Sequence, residues 1–339
     1  MRRIAAPAAG DAGVLKIEEV ATPDLTEGEV LVRLEYAGLN PVDAKQRARS
    51  PQGGGFPFVP GCEGSGTIAD LHPSVSGIAP GERVAIFAGG LGGSLGCYAE
   101  EIAVPSVAVV PLPEEVESGA AAALPLAFLT AWEGLVRLAR LEPGSTLLLS
   151  GASGGVGHLV AQIAVAAGIR VIALAGEEEK RRFVLELGVD TVLDYRDERW
   201  PRDLEAVAGE NGVDCFYDVI GAALINRALP VIRPYGSVVT VRDPVADLDW
   251  KTIRGRCVSL HTELVLVPQL LGDLRERERQ RNALAHGVEL LRDGIVVPHV
   301  ETIWGASEIV EAHRVLEEEH TRGKMVVDLR EEGWKQESA

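Results

Sequence analysis

The stretch LLLSGASGGVGHLVAQ, residues 147–162, decides the fold of this chain. An apolar run leads directly into a turn that contains Gly151, Gly154, Gly155 and Gly157, and an amphipathic helical pattern follows. A strand that enters a helix through such a turn brings backbone N–H groups against a pyrophosphate, because glycine permits tight turning and close approach. The same glycine pattern also occurs in ordinary strand-to-helix turns, so the surrounding sequence decides its meaning.

Strand and helix patterns alternate along the middle of the chain. RVIALAG (170–176), EEKRRFVLELG (178–188), TVLDY (191–195) and VDCFYDVIG (213–221) continue the series begun by the glycine turn. Such alternation predicts βαβ units and a parallel sheet. The first third is different: short strand patterns separated by Pro and Gly predict a β-rich domain, and no helix is predicted before about residue 115.

Length and composition limit the classes of function. A chain of 339 residues is long enough for two domains, each with a core of its own. Its net charge of −17 disfavours nucleic-acid binding, which relies on clustered Lys and Arg. The longest uncharged run, residues 143–169, is interrupted by turn residues, and no secretory signal is recognised, so we expect neither a membrane span nor export. Four well-separated cysteines agree with a cytoplasmic protein.

The strand after the glycine turn bears on which dinucleotide binds. In NAD-binding proteins an acidic residue at the end of this strand holds the ribose hydroxyls, but here the strand ends in Ala175 and Gly176. Lys180 is placed to neutralise a 2′-phosphate, which favours NADPH. Glu177 would repel that phosphate, and Lys180 is also explained as a solvated lysine of the first helical turn, so NADH stays possible.

Nearly the whole chain, from residue 1 to about 330, resembles the medium-chain dehydrogenase/reductase superfamily and, within it, the zinc-free quinone oxidoreductase (zeta-crystallin-like) group. The motifs that carry the resemblance occur in the family's order. They are VLKIEEV (14–20), GEVLVRLEYAGLNPVDAKQR (28–47), PFVPGCEGSG (57–66), PGERVAIF (80–87), AAALPLAFLTAWEGL (121–135), GASGGVG (151–157) and RGKMVVDL (322–329).

The resemblance implies an α/β protein with two domains, usually assembled as a homodimer. A GroES-like β-rich catalytic domain would be formed by residues 1–120 and 266–330, and a Rossmann doubly wound parallel-sheet nucleotide-binding domain by residues 121–265. Residues 331–339 would be a tail.

The same resemblance assigns cofactor-binding residues. Thr130 matches a position near the nicotinamide, and Lys324 matches a residue near the cofactor. The positions expected to hold the pyrophosphate are Ser153, Gly154, Gly155 and Val156, and those expected to hold the adenosine phosphate are Gly176, Lys180 and Tyr195. Two of these side chains have simpler explanations: Tyr195 as a packed aromatic at a strand end, and Lys324 as a lysine that protects an edge strand.

A catalytic zinc site is the main alternative raised by FVPGCEGSG, because thiolate and carboxylate are ordinary zinc ligands. In zinc alcohol dehydrogenases of this fold, a cysteine stands where this chain has Asn40, and a His-Glu pair stands where it has Cys62 and Glu63. The region of the third ligand, LPLAFLTAW (124–132), contains no Cys or His. Since a catalytic zinc needs three protein ligands, we expect no zinc.

Without a metal, conjugated acceptors suit hydride transfer, because conjugation spreads the developing negative charge. We therefore expect a quinone or an α,β-unsaturated carbonyl compound as the small-molecule electron acceptor. Asn40 is the candidate hydrogen-bond donor to the acceptor oxygen, although a turn residue before Pro41 explains it almost as well. Asp43 is expected to orient this turn and to contact a basic neighbour. The rival functions are a catalytically silent, cofactor-binding structural or regulatory protein and a zinc-type alcohol dehydrogenase with unusual ligands.

Overall fold

The computed structural model divides the chain into two compact units. The first comprises Met1–Leu126, Leu266–Gly294 and Pro298–Ala339, and the second comprises Ala127–Val265 and Ile295–Val297. The N-terminal and C-terminal parts of the chain therefore fold together, and the middle of the chain forms a unit of its own. The residues that the structure describes are 1–49, 54–90, 96–221, 223–242, 247–318 and 321–335.

Within the described residues there are fifteen β-strands and eleven α-helices. The strands are β1 (Arg2–Ala5), β2 (Lys16–Glu19), β3 (Glu29–Leu39), β4 (Glu63–Leu71), β5 (Arg83–Phe87), β6 (Glu101–Pro105), β7 (Val109–Pro111), β8 (Thr146–Ser150), β9 (Arg170–Leu174), β10 (Thr191–Leu193), β11 (Val213–Asp218), β12 (Ile232–Thr240), β13 (Ser259–Thr262), β14 (Val300–Gly305) and β15 (Lys324–Asp328). The helices are α1 (Pro41–Ala48), α2 (Ser118–Ala123), α3 (Pro125–Trp132), α4 (Gly157–Ala166), α5 (Glu178–Glu186), α6 (Trp200–Ala208), α7 (Ala223–Ala228), α8 (Trp250–Arg256), α9 (Val267–Leu271), α10 (Leu274–Arg292) and α11 (Ile309–Glu317). A π-helix, Glu133–Ala139, directly follows α3.

The first unit is built on a sheet with the strand order β14-β15-β3-β4-β5-β7, and β6 also pairs with β3. The long strand β3 organises it, because its apolar side chains are buried between antiparallel neighbours. Pairing sets Leu39 of β3 opposite Met325 of β15, and Ala37 of β3 opposite Gly64 of β4. The residues at these strand ends, including Asn40, are therefore brought to the same end of β3.

The second unit is a six-stranded parallel sheet with the order β10-β9-β8-β11-β12-β13. Helices of the βαβ crossovers cover it, and its core contains Leu148, Ile172, Phe216 and Val238, which are almost completely buried. The predicted fold class, a β-rich GroES-like domain with a parallel-sheet Rossmann domain, is confirmed. Because all six strands run in one direction, their carboxyl ends lie along one edge, where ligands bind in such sheets.

Three local features differ from the sequence predictions. Helix α1 begins at Pro41, where the sequence predicts no helix. The sequence shows no apolar periodicity there, because the buried face of α1 carries polar side chains, among them Asp43 and Arg47. Cys257 lies in an apolar run that predicts a buried small residue, but it is exposed in a left-handed conformation that ends α8. In the expected tail, Glu331–Trp334 form a short 3-10 helix in which the indole of Trp334 is buried.

Among the described residues, no helix is long and apolar enough to cross a membrane.

Candidate active site

The glycine turn joins β8 to α4 in the second unit. The backbone N–H of Gly154 donates to the carbonyl of Gly151 at 3.0 Å, and Gly151 itself has a positive φ of 59°. A Cβ at Gly157 would overlap the carbonyl oxygen of Gly151, so only glycine allows the helix to start this close to the turn. The sequence therefore uses glycine where the backbone has to approach itself closely.

The N-terminus of α4 is suited to an anion. No side chain caps this helix end among the described residues, and Gly154, Gly155 and Val156 are partly exposed, while Ser153 is buried. Uncapped N–H groups at a helix N-terminus, together with the helix dipole, form a binding site for phosphate. The four predicted pyrophosphate residues thus lie in one loop whose backbone fits that role.

Asp218 ties together the strand ends around this loop, a role that the sequence did not reveal. Its carboxylate is buried at the carboxyl end of β11; Oδ1 accepts from Ser150 Oγ at 2.8 Å and Gly221 N at 3.0 Å. Oδ2 accepts from Thr240 Oγ1 at 3.0 Å. Three neighbouring strands, β8, β11 and β12, are thus joined through one carboxylate next to the glycine loop.

The three residues predicted to hold the adenosine phosphate lie at the carboxyl ends of β9 and β10. A Cβ on Gly176 would lie 3.1 Å from the ring of Tyr195, so the tyrosine packs against the glycine as well as against the core. Lys180 Nζ lies 3.7 Å from Glu177 Oε2, and the Lys180 side chain is only 16% exposed. Lys180 is therefore paired with Glu177 rather than solvated among glutamates.

Thr130 lies buried on α3 in the second unit, apart in sequence from the glycine loop. Its carbonyl oxygen accepts a hydrogen bond from the hydroxyl of Tyr217, at 2.8 Å, so β11 holds this point of α3.

Asn40 and Lys324 meet in a buried polar cluster of the first unit, together with Glu63. Lys324 Nζ donates to Glu63 Oε1 at 2.7 Å, to Asn40 Oδ1 at 2.5 Å and to the carbonyl of Leu39 at 3.2 Å. Asn40 Nδ2 donates to the same Glu63 Oε1 at 2.7 Å, and its contact with the Gly38 carbonyl is long, at 3.5 Å. The amide of Asn40 is therefore oriented by an ion pair and not mainly by the backbone of its own turn.

Burial makes this cluster unusual. Asn40 is 2% exposed, Lys324 4% and Glu63 0%, and charged side chains are buried to this degree only when they are paired. The second oxygen of Glu63, Oε2, accepts from the backbone N–H of Leu126 at 2.6 Å. The explanation of Lys324 as an edge-strand lysine is wrong, because β15 lies between β14 and β3 and the side chain is buried.

Asp43 supports Asn40 from the first turn of α1. Its Oδ2 accepts from Asn40 N at 2.9 Å, and its Oδ1 accepts from Gly61 N at 3.1 Å and from the Cys62 thiol at 3.4 Å. Burial raises the pKa of Asp43 to about 6 and the pKa of the Cys62 thiol well above its usual range. The predicted contact of Asp43 with a basic neighbour is wrong: its side-chain partner is a thiol, which stays protonated as a hydrogen-bond donor.

The described residues contain no group of three or more His, Cys, Asp or Glu side chains that could hold a metal ion. Glu63, which the sequence suggested only as a possible metal ligand, instead joins the Asn40 amide to the Lys324 ammonium. The short motif containing Cys62 and Glu63 marks one side of this cluster, but Lys324, which pairs with Glu63, lies 261 residues away in sequence in the separate motif RGKMVVDL.

Two family models match the chain. Residues 26–114 match the alcohol dehydrogenase GroES-like domain, and residues 155–247 match the zinc-binding dehydrogenase family.

Curated relatives and solved structures give the same picture. The chain is 32% identical to a quinone oxidoreductase of Rattus norvegicus over 246 residues, which is 71% of this chain and 73% of the relative. It is 28% identical to a quinone oxidoreductase of Mus musculus, over 97% of this chain and 98% of the relative. A mycobacterial protein solved in complex with NADPH superimposes with a TM-score of 0.85 at 27% identity, over 97% of this chain and 100% of that structure.

Proposed function

This chain belongs to the medium-chain dehydrogenase/reductase superfamily, in its zinc-free quinone oxidoreductase group, and on that premise we propose what it catalyses. We propose that it is an NADPH-dependent oxidoreductase that transfers hydride, without zinc, to a quinone or an α,β-unsaturated carbonyl compound. The observation that carries the proposal is the loop from Gly151 to Gly157, where the uncapped N-terminus of α4 fits the pyrophosphate of a dinucleotide. When bound, the reduced nicotinamide supplies the hydride.

The preference for NADPH rests on Lys180. Its ammonium group belongs to the first turn of α5, after a strand that ends without a carboxylate at Gly176, so a 2′-phosphate meets a cation there. Glu177 Oε2, at 3.7 Å from Lys180 Nζ, competes for the same cation and limits the preference. Tyr195, which packs on Gly176, adds an aromatic wall to this end of the binding site.

Asn40 is proposed as the hydrogen-bond donor to the acceptor oxygen. Of its two amide hydrogens one is held by Glu63, while the other has, among the described residues, only the long contact with the Gly38 carbonyl. The ammonium of Lys324 on Asn40 Oδ1 polarises the amide and makes its N–H groups better donors. An acceptor oxygen would replace the long Gly38 contact and be stabilised as its negative charge develops.

Zinc independence is supported by what occupies the cluster. The Lys324 ammonium already neutralises Glu63 and accounts for the amide oxygen of Asn40. A Zn²⁺ ion bound to the same two groups would have to displace a buried cation.

The proposal includes a homodimer that works in the cytoplasm. Strand β13 lies at one end of the parallel sheet among the described strands, so its outer edge is free to pair with a second copy. On α9 and the start of α10, Val267, Leu271 and Leu274 are exposed apolar side chains, which is typical of an interface. All four cysteines are free thiols, as expected in a reducing compartment.

The test is oxidation of NADPH by purified protein with a panel of quinones, enals and enones. We expect saturable turnover with at least one conjugated acceptor and little with the matching saturated ketone. Binding of NADPH without turnover of any acceptor would favour the catalytically silent protein instead. Failure to bind NADPH would refute the proposal.

A further inference from the structure

Tyr217, which is buried, and Glu263, which is partly buried, form a hydrogen-bonded pair in the second unit that the proposed reaction has not used. Tyr217 Oη lies 2.8 Å from the carbonyl oxygen of Thr130 and 3.0 Å from Glu263 Oε2. A phenol carries one hydrogen, so it cannot donate to both oxygens. If it donates to the Thr130 carbonyl, the proton in the second contact has to come from the carboxyl group of Glu263.

The surroundings favour that neutral form of Glu263. Burial raises the pKa of Glu263 well above its usual range against the opposing effect of the Tyr217 hydrogen bond, and the negative charge of Glu133 adds to the rise. Burial likewise raises the pKa of Tyr217, so the phenol keeps its hydrogen. With both groups protonated, the hydrogen bonds run in one direction: the Glu263 carboxyl group donates to Tyr217 Oη, and the Tyr217 hydroxyl donates to the Thr130 carbonyl oxygen.

The backbone around Tyr217 and Glu263 leaves room for the pair at the carboxyl edge of the parallel sheet. A Cβ at Gly134 would overlap the ring of Tyr217, so this glycine of the π-helix makes room for it. Glu263 directly follows β13, and its N–H donates to the carbonyl of Thr240 at 2.9 Å, which sets it at the carboxyl edge of the sheet. π-helical turns often occur at functional sites, and this edge is where nucleotides bind in parallel sheets.

One atom of the pair lacks a partner. Glu263 Oε1 is buried and makes no hydrogen bond within the described part of the chain. A buried polar atom without a partner is costly, so an unpaired acceptor at a ligand-binding edge indicates a donor brought by a ligand. In a neutral carboxyl group that donates through Oε2, Oε1 is the carbonyl oxygen, and its natural partner is an N–H group.

We propose that Tyr217 and Glu263 belong to the site for the nicotinamide half of the cofactor: Tyr217 holds Thr130 in place, and Glu263 Oε1 accepts a hydrogen bond from the nicotinamide carboxamide. The inference rests on the proposed function, since Thr130 is the residue assigned to the nicotinamide end. It adds to that function two side chains that select the nicotinamide ring itself, while the pyrophosphate is left to the glycine loop and the adenosine phosphate to Lys180.

The experiment compares two ligands by isothermal titration: NADPH, and 2′-phospho-ADP-ribose, which lacks the nicotinamide. In Glu263→Met, which removes the acceptor at similar size, we expect the Kd for NADPH to rise about 5- to 10-fold, as for loss of one or two hydrogen bonds. The Kd for 2′-phospho-ADP-ribose should stay within about 2-fold of wild type, which also shows that the unit is folded. Glu263→Gln keeps a neutral acceptor and a donor to Tyr217 and should restore tight NADPH binding.

Two further variants separate the parts of the pair. Tyr217→Phe and Gly134→Ala, which displaces the ring, should both weaken NADPH selectively. The inference is overturned if Glu263→Met binds NADPH like wild type, if both ligands weaken equally, or if Glu263→Gln is as weak as Glu263→Met. If wild type binds 2′-phospho-ADP-ribose and NADPH equally well, the nicotinamide subsite is refuted while the cofactor loop stands. If wild type binds neither ligand, the proposed function itself fails and this inference fails with it.

Discussion

Lys324 Nζ lies 2.7 Å from Glu63 Oε1, and both side chains are buried in the first unit. The two residues come from β15 and β4, strands that flank β3 on opposite sides. The pair is held by further hydrogen bonds, from Lys324 to Asn40 and from Leu126 N to Glu63. A buried ion pair of this kind is costly to break, because removing one partner leaves an uncompensated charge.

Lys324→Met should therefore lower the free energy of unfolding of the first unit by about 3 to 5 kcal/mol. The double variant Lys324→Met with Glu63→Gln should recover part of that loss, since no buried charge is left alone. The control is Lys335→Met, which removes an exposed ion pair with Glu332 and should cost less than about 1 kcal/mol. Denaturant unfolding of the three variants measures these values. Equal losses for Lys324→Met and Lys335→Met would contradict the ion-pair account.

Asp43 should make stability depend on pH in a particular direction. Its pKa rises from the ordinary 3.8 to about 6 through burial, so between about pH 4 and 6 the folded protein holds a proton that the unfolded chain releases. The stabilisation from Asp43 is thus present below about pH 4 and is lost as the pH rises through 6. At about 1.4 kcal/mol per pH unit it amounts to about 3 kcal/mol.

The measurement is the free energy of unfolding of wild type minus that of Asp43→Asn, from pH 7 down to pH 4. We expect this difference to shift in favour of wild type by up to about 3 kcal/mol as the pH falls. Taking the difference removes the opposite effect of His313, whose pKa burial lowers to about 3 and whose neutral ring is charged only on unfolding. A difference that does not change with pH would show that Asp43 stays ionised in the folded protein down to about pH 4, which contradicts a raised pKa.

Glu177 should limit the preference for NADPH. Glu177→Ser frees Lys180 from its ion pair and removes a negative charge near the expected 2′-phosphate, so the ratio of NADPH to NADH affinity should rise about 5- to 10-fold. Lys180→Ala should lower the same ratio. Glu178→Ser removes an equal charge from the next, exposed position and is the matched control. If all three variants keep the wild-type ratio, the phosphate does not bind at Lys180.

Gly157 and Gly154 offer a matched pair in the cofactor loop. Gly157→Ala would place a Cβ against the Gly151 carbonyl, so the loop must shift, and we expect at least about 10-fold weaker NADPH and NADH binding with lower stability. A Cβ at Gly154 would lie 3.4 Å from the same carbonyl, an ordinary contact, so Gly154→Ala should fold like wild type. Weaker cofactor binding in that stable variant would mark the backbone at Gly154 as a ligand contact. Unchanged cofactor binding in both variants would place the pyrophosphate elsewhere.

Much of the fold follows from patterns that are local in the sequence. The sequence around Gly151 predicts a strand, a glycine turn and a helix, and hence a parallel sheet, because buried strands and crossover helices each have their own periodicity. Helix α1 has no such periodicity and is therefore not predicted. Its buried Asp43 and Arg47 are polar, so burial there rests on hydrogen bonds and not on an apolar stripe.

The candidate site was predicted less completely, because its main contacts join distant parts of the chain. The sequence predicts Asn40 and Lys324 as separate site residues. Nothing in it places Lys324 Nζ 2.5 Å from Asn40 Oδ1 or sets Glu63 between the two side chains. Glu263 follows an ordinary strand and has no motif, since its significance lies in its buried Oε1 atom and in its contact with Tyr217. Strand register and burial, which decide both cases, are tertiary properties.

The most direct test of the account follows hydride from the cofactor to a conjugated acceptor in protein of known zinc content. Purified protein is freed of metal with a chelator, its zinc is measured, and NADPH deuterated at the transferred position is supplied with an enone that the acceptor screen identifies. We predict deuterium at the β-carbon of the reduced product and a turnover rate that chelation leaves unchanged. Zinc in stoichiometric amount whose removal abolishes turnover, or a product without deuterium at that carbon, would contradict the account.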